Sequence, residues 1–234
     1  VTMDGRRLGT GKTDLNFEVE GKPLRPDEPL SRGTQEWARQ NSANSVRLFH
    51  ATDWARLKEH QPFFAQVNFS HVERNANGWV GKDQNPKCAD PAQVALPPYY
   101  PDTPAVRQEW VSYLDSVSGL DVEVGRVLQR LEADGLAENT VVIFFGDNGR
   151  LEARGLDWCY DSGLHVPLLV RWPKQYPMPS QFHPATTSGQ LVSLIDVTAT
   201  TLALAGVRKP APMQGHVFLG PWTEPPRPYV FGAR

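Results

Sequence analysis

Cysteine is almost missing: Cys88 and Cys159 are the only two in 234 residues. Two thiols make no zinc site by themselves, and neither lies in a C-x-x-C motif. Their separation along the chain says nothing about pairing, so two ordinary thiols and one disulfide both fit. A basic excess is absent too. Lys and Arg number 24 against 26 Asp and Glu, a formal charge of −2, which leaves no electrostatic footprint for nucleic acid or an anionic membrane. No apolar run reaches the ~20 residues that span a bilayer. There is no internal repeat and no low-complexity tract. What is present is ordinary globular composition, 40% hydrophobic and 21% charged, in a chain long enough for one sizeable core. With 21 prolines and 19 glycines, long structured loops must join the regular elements.

The most informative stretch is "VVIFFGDNGR", residues 141–150. Val141 to Phe145 lacks polar alternation, the pattern of a strand covered on both faces in a parallel sheet under helices. It ends in a carboxylate, an amide and two glycines. Ligands in open α/β sheets sit outside the carboxyl ends of strands, so Asp147 and Asn148 are the first candidates for chemistry. The same residues also make a good turn. "PFFAQVNFS" (62–70) and "GLHVPLLVRWP" (163–173) read as further buried strands. Glu36 to Leu57 reads as helical, with Trp37 and Trp54 as core anchors. A helix capped by Asp102 or Thr103 carries an apolar stripe at Trp110, Leu114, Val117, Leu120, Val124, Val127, Leu128 and Leu131, and ends at Asp134-Gly135. Another starts near Asp196 and stops at Gly206. Helix followed by strand is the rhythm of an α/β fold. Asn75 to Pro101 is an irregular stretch long enough to mark a functional or covering loop.

Four stretches, "GTGKTDLNF", "PFFAQVNFS", "VVIFFGDNGR" with "YDSGLHVPLLVRWP", and "VSLIDVTATTLALAG", together resemble the sulfatase branch of the alkaline-phosphatase-like superfamily. The segment from "LPPYYPDTP" to "LEADGL" is most similar to its N-sulfoglucosamine sulfohydrolase (heparan N-sulfatase)-like group. The resemblance implies an α/β fold with a mostly parallel sheet flanked by helices on both faces. It further implies that residues 1–234 are part of a sulfatase catalytic domain truncated at both ends. Neither an initiator nor a signal peptide opens the chain at Val1, and a new β-like run, Tyr229 to Phe231, forms just before its end.

Members of the family hydrolyse sulfate esters or N-sulfates of carbohydrates. They use one Ca²⁺ and a formylglycine made from a Cys or Ser in a C/S-x-P-x-R motif, and work in the periplasm, outside the cell or in the lysosome. A hard dication takes carboxylate and amide oxygens, and Asp147 and Asn148 match the family's metal-binding pair. Lys12 matches the lysine that contacts sulfate or nucleophile, with Asp14 two residues on where many members have His. His71 is the candidate imidazole, and Arg150 and Arg154 are candidate sulfate ligands. A phosphodiesterase or phosphonate hydrolase of the same superfamily, and a non-catalytic sulfated-glycan-binding relative, are the alternatives.

The departures are specific. No C/S-x-P-x-R occurs in the chain, and the nucleophile segment is expected upstream of Val1. Glu73 takes the aligned histidine position, with His71 two residues early, and Leu156 stands where a lysine is expected. Each candidate also has a plainer reading: Lys12 as a loop lysine, His71 as a rim or core histidine, and Arg150 and Arg154 as solvated loop charges. His165 and His216 stand where the family commonly has Arg, and could simply face solvent. The tryptophans read as core, with Trp79 and Trp158 as possible sugar platforms.

Overall fold

The computed structural model describes residues 2–4, 54, 56–83 and 89–232. Lys12, Asp14, Trp37 and Cys88, together with most of the helix expected over 36–57, lie outside the described residues. The chain forms two compact units, Val1–Arg126 and Val127–Arg234.

In the first unit, strand β1 (Thr2–Asp4) pairs in parallel with β2 (Gln66–Asn68), Met3 opposite Val67. Helix α1 (Arg56–Glu59) precedes β2, and Leu57 is among the most buried side chains. The stretch after β2, expected to be irregular, contains a small antiparallel hairpin of β3 (Arg74–Asn75) and β4 (Gly78–Trp79). Asn75 Oδ1 accepts the Asn77 amide at 2.8 Å, a local Asx turn closing it. Trp79 is fully buried, and its indole N–H donates to Glu109 Oε1 at 2.9 Å. Arg74 pairs with the same carboxylate. Trp79 is therefore a core anchor, not a sugar platform.

Helix α2 (Pro104–Ala133) runs 30 residues. Its ends follow the local chemistry. The Val106 amide donates to Thr103 Oγ1 at 3.3 Å, Pro104 opens the first turn, and Gly135 at φ +71° takes the left-handed position past the end. The expected apolar stripe faces inward for most of its length: Leu131 is buried and Trp110, Leu114, Leu120, Val124, Val127 and Leu128 are half-buried. Val117 is exposed instead, and Val111, Asp115 and Ser116, outside the stripe, are buried. Asp115 can occupy an inward position because its Oδ1 accepts the Ala89 amide at 3.1 Å, so the buried carboxylate is partnered.

The second unit contains β5 (Val142–Phe145), the short helix α3 (Asp161–Leu164), β6 (Leu168–Arg171) and α4 (Leu194–Leu204). Here two expectations are corrected. β5 and β6 pair antiparallel, with Ile143 opposite Val170. Among the described residues only the β1–β2 pair is parallel. A parallel return needs a crossover, ordinarily a helix of several turns, and the connection from β5 to β6 offers only the four-residue α3. Nor is β5 covered on both faces: Val142 to Phe144 are half-buried and Phe145 is exposed. Among the described residues its mate is β6 alone.

Helix α4 begins two residues before the expected Asp196. Ser193 is the N-cap and Asp196 sits at the third helical position, its Oδ2 accepting the Ser193 amide at 2.8 Å. Ala199, Ala203 and Val217 form the packed centre beneath it, with Met213 against them. The segment after Gly206 is held by side chains, not by strands. Lys209 Nζ donates to Gly215 O at 2.7 Å and to Glu224 Oε1 at 2.8 Å. Glu224 Oε2 accepts the Val217 amide at 2.8 Å. No helix of the described residues is long and apolar enough to cross a membrane.

Candidate functional site

Asp147 and Asn148 follow β5 in a bend, and both are exposed. Asn148 turns its amide nitrogen back to donate to Gly149 O at 2.8 Å, which leaves its carbonyl oxygen as the group able to ligate. A carboxylate and an amide oxygen on successive exposed positions are a hard donor set of the kind a calcium ion takes. They are two ligands, not a cage: among the described residues no three His, Cys, Asp or Glu side chains gather as a metal cluster.

The loop that follows is fixed by unusually close backbone approaches. The Gly149 amide donates to Gly163 O at 3.2 Å, and the Leu156 amide to Arg150 O at 2.7 Å. A Cβ at Gly149 would lie 2.3 Å from Ser162 O, one at Gly155 1.9 Å from Arg150 O, and one at Gly163 2.3 Å from Trp158 O. Three glycines thus let residues 149–163 fold onto themselves, and only glycine fits at each. This arrangement sets where the Asp147-Asn148 bend sits relative to α3. Gly163→Ala is expected to lower stability by about 1–3 kcal/mol through overpacking. Gly125→Ala, in helix α2 with nothing within 4 Å of the added atom, should instead raise it by up to about 1 kcal/mol. Thermal melts of the two variants, read side by side, check the opposite signs.

The remaining candidates separate. The Arg150 side chain is largely withdrawn from solvent, with Nε 4.0 Å from Glu152 Oε2. The contact is an ion pair internal to the loop. Arg154 is exposed, at φ +64°, with its guanidinium 4.9 Å from the Tyr160 ring centroid. Leu156 is half-buried in the loop. His165 is exposed, 3.5 Å from Asp161 Oδ1, as its plainer reading has it. Cys159 is an exposed free thiol.

His71, in the other unit, is buried at 5% exposure. Gly81 packs against its backbone so closely that a Cβ there would be 2.9 Å from His71 Cβ, and the Gly81 amide donates to His71 O at 2.8 Å. Among the described residues, its Nδ1 and the neighbouring Ser70 Oγ are buried without a hydrogen-bond partner. An imidazole so enclosed reads as an interior group. Glu73, at the aligned position, is exposed. The glycine contacts around the loop were not legible beforehand. Gly149 and Gly163 stand in the quoted motifs and Gly155 between them, but nothing in their spacing says that they meet.

Residues 31–207 match the family model described as Sulfatase. The chain is 29% identical over 213 residues to an ulvan-active sulfatase of Formosa agariphila, covering 77% of this chain and 35% of that protein. It is 32% identical over 165 residues to the N-sulphoglucosamine sulphohydrolase of Homo sapiens, covering 63% and 32% respectively. An N-acetylglucosamine-6-O-sulfatase of Bacteroides thetaiotaomicron is 31% identical over 110 residues, or 44% of this chain and 18% of that protein. The chain spans about a third of the length of the first two.

Proposed function

Because the chain belongs to the sulfatase family, with its alkaline-phosphatase-like α/β fold, we propose that it supplies the metal-binding and substrate-positioning part of a sulfuric ester or N-sulfate hydrolase acting on a sulfated carbohydrate. The observation that carries this reading is the exposed Asp147-Asn148 pair on a loop locked by Gly149 and Gly163. Their two oxygens would hold part of a Ca²⁺ shell, with the other ligands coming from residues beyond this pair. When bound, the ion would neutralise negative charge developing on the sulfate oxygens. Lys12 and Asp14 are assigned to the anion side of the site by their motif. Arg154 is preferred to Arg150 as a sulfate contact, since Arg150 is engaged near Glu152. His71, buried at its position, is not assigned a proton-transfer role. The nucleophile, a formylglycine, would come from a C/S-x-P-x-R segment outside this sequence. An ulvan-active sulfatase and an N-sulphoglucosamine sulphohydrolase among the relatives fit a sulfated polysaccharide substrate, and the family points to a periplasmic, extracellular or lysosomal setting.

A second reading, a sulfated-glycan-binding relative without turnover, is favoured by Leu156 and Glu73 at expected lysine and histidine positions and by the enclosure of His71. One experiment separates the readings. Calcium should bind the full-length protein, and Asp147→Ala should weaken it at least about tenfold, a loss of roughly 1.4 kcal/mol, in calorimetric titration. Chelator-sensitive release of sulfate from an aryl sulfate then supports hydrolysis. Calcium binding with no release supports the binder, and metal affinity unmoved by Asp147→Ala overturns the site.

A further inference from the structure

The four side chains Arg154, Trp158, Cys159 and Tyr160 are all exposed on the glycine-locked loop. Trp158 and Tyr160 keep 45% and 47% of their surface in contact with solvent. Their rings lie 6.3 Å apart, tilted by 36°. Large aromatic rings gain most by burial, and Trp79 in the same chain is fully buried. The loop instead displays this pair on a backbone that is expensive to form. Arg154 and Asp157 both hold left-handed φ values, 64° and 70°, which residues with a Cβ adopt reluctantly. Gly149, Gly155 and Gly163 carry backbone approaches that leave no room for a Cβ. Backbone held in unfavourable states by its surroundings clusters where ligands are bound. The Arg154 guanidinium lies over the Tyr160 ring. Stacking uses the guanidinium's flat face, and an oxyanion is recognised through its N–H edge. The Ser162 hydroxyl donates to Arg154 O at 2.5 Å and fixes the backbone beneath it.

We infer that Trp158 and Tyr160, with Arg154 stacked on Tyr160, form a carbohydrate subsite. The exposed indole face would take the C–H face of a pyranose ring, and the guanidinium edge would take a sulfate group on the same oligosaccharide. The inference rests on the sulfatase reading for its ligand class and deepens it by assigning the residues that select the sugar. The loop follows the Asp147-Asn148 bend directly in the chain.

The test is calorimetric titration of the full-length protein with a heparin-derived tetrasaccharide, its desulfated counterpart and inorganic sulfate. Trp158→Ala should weaken both tetrasaccharides by about tenfold or more, with inorganic sulfate changed less than about twofold. Trp158→Tyr should restore most of the loss, which a folding defect would not allow. Arg154→Gln should weaken the sulfated tetrasaccharide alone. Tetrasaccharide affinity unchanged in Trp158→Ala, or no binding of either tetrasaccharide by the unaltered protein, overturns the subsite. Chelator-sensitive sulfate release and metal affinity in Asp147→Ala report on the sulfatase reading separately. Saccharide binding that depends on Trp158 while metal affinity ignores Asp147 leaves the subsite standing and removes only the metal assignment.

Discussion

Asp196→Ala should cost the second unit about 3–5 kcal/mol, the loss expected when one partner of a buried ion pair is removed. Asp196 is 1% exposed, at the third position of α4. Arg227 approaches it with two nitrogens, Nη2 to Oδ1 at 2.6 Å and Nε to Oδ2 at 2.9 Å. The His216 amide donates to Oδ1 at 2.7 Å and the Ser193 amide to Oδ2 at 2.8 Å. One carboxylate therefore ties the start of the helix to chain segments 20 and 31 residues further on. Alanine would strand a guanidinium and two amides at once. A domain is stable by only about 5–15 kcal/mol, so the variant should melt far below the parent or lose its cooperative transition. The charge gives a second handle. Burial pushes the Asp196 carboxyl up, but the hydrogen bonds from Arg227 and the two amides outweigh it and hold it below its ordinary 3.8. A group depressed on folding contributes stability that is complete above its unfolded value, about 3.9, and is lost as pH falls through the folded one. Acid unfolding of the parent should accordingly set in below about pH 4, and Asp196→Asn should flatten that part of the profile. A melting midpoint for Asp196→Ala within a degree or two of the parent would sink the proposal that this carboxylate holds the unit together.

What the sequence made legible was local chemistry. The α2 boundaries followed from Thr103, Pro104 and Gly135, whose effects act within one turn of the chain. β5 and β6 were found from apolar runs, yet those runs carry no direction, and the antiparallel pairing was not readable from them. Continuous apolarity suggested cover on both faces, whereas Phe145 is exposed. The α2 stripe was legible except at Val117, but the inward Asp115 was not. Asp115 is drawn inward by the Ala89 amide, a contact 26 residues away that no periodicity encodes. The site shows the same division. Asp147 and Asn148 were marked by residue type at a strand end, and both are exposed there. The burial of His71 depended on its packing, and the shape of the loop depended on three glycines meeting. Only tertiary contact decides such matters. Lys12 and Asp14 belong to the sequence argument alone.

The 234-residue polypeptide produced by itself should release no sulfate from an aryl sulfate or a sulfated oligosaccharide. Covalent catalysis needs its nucleophile, and no C/S-x-P-x-R motif occurs anywhere in these residues. The two available thiols do not substitute. Cys88 stands in "CADPA" and Cys159 in "CYDSG", so neither is followed by Pro two positions on and Arg four positions on. Removing an essential nucleophile costs on the order of a millionfold in rate, far more than losing any one of the positioning groups assigned above. Binding is expected to outlast catalysis, because the Asp147-Asn148 bend and the Arg154–Tyr160 face are built from this chain's own loop. Stability is the competing risk. Phe145, Leu169 and Phe231 are exposed, and among the described residues the β5–β6 ladder has only two strands, a form that invites edge-to-edge association. The decisive comparison is sulfate release by the isolated polypeptide against release by a longer protein that carries the nucleophile motif, both with and without chelator. Chelator-sensitive turnover by residues 1–234 alone would mean that the nucleophile lies within this sequence, and the assignment of catalysis to an external formylglycine would have to be abandoned.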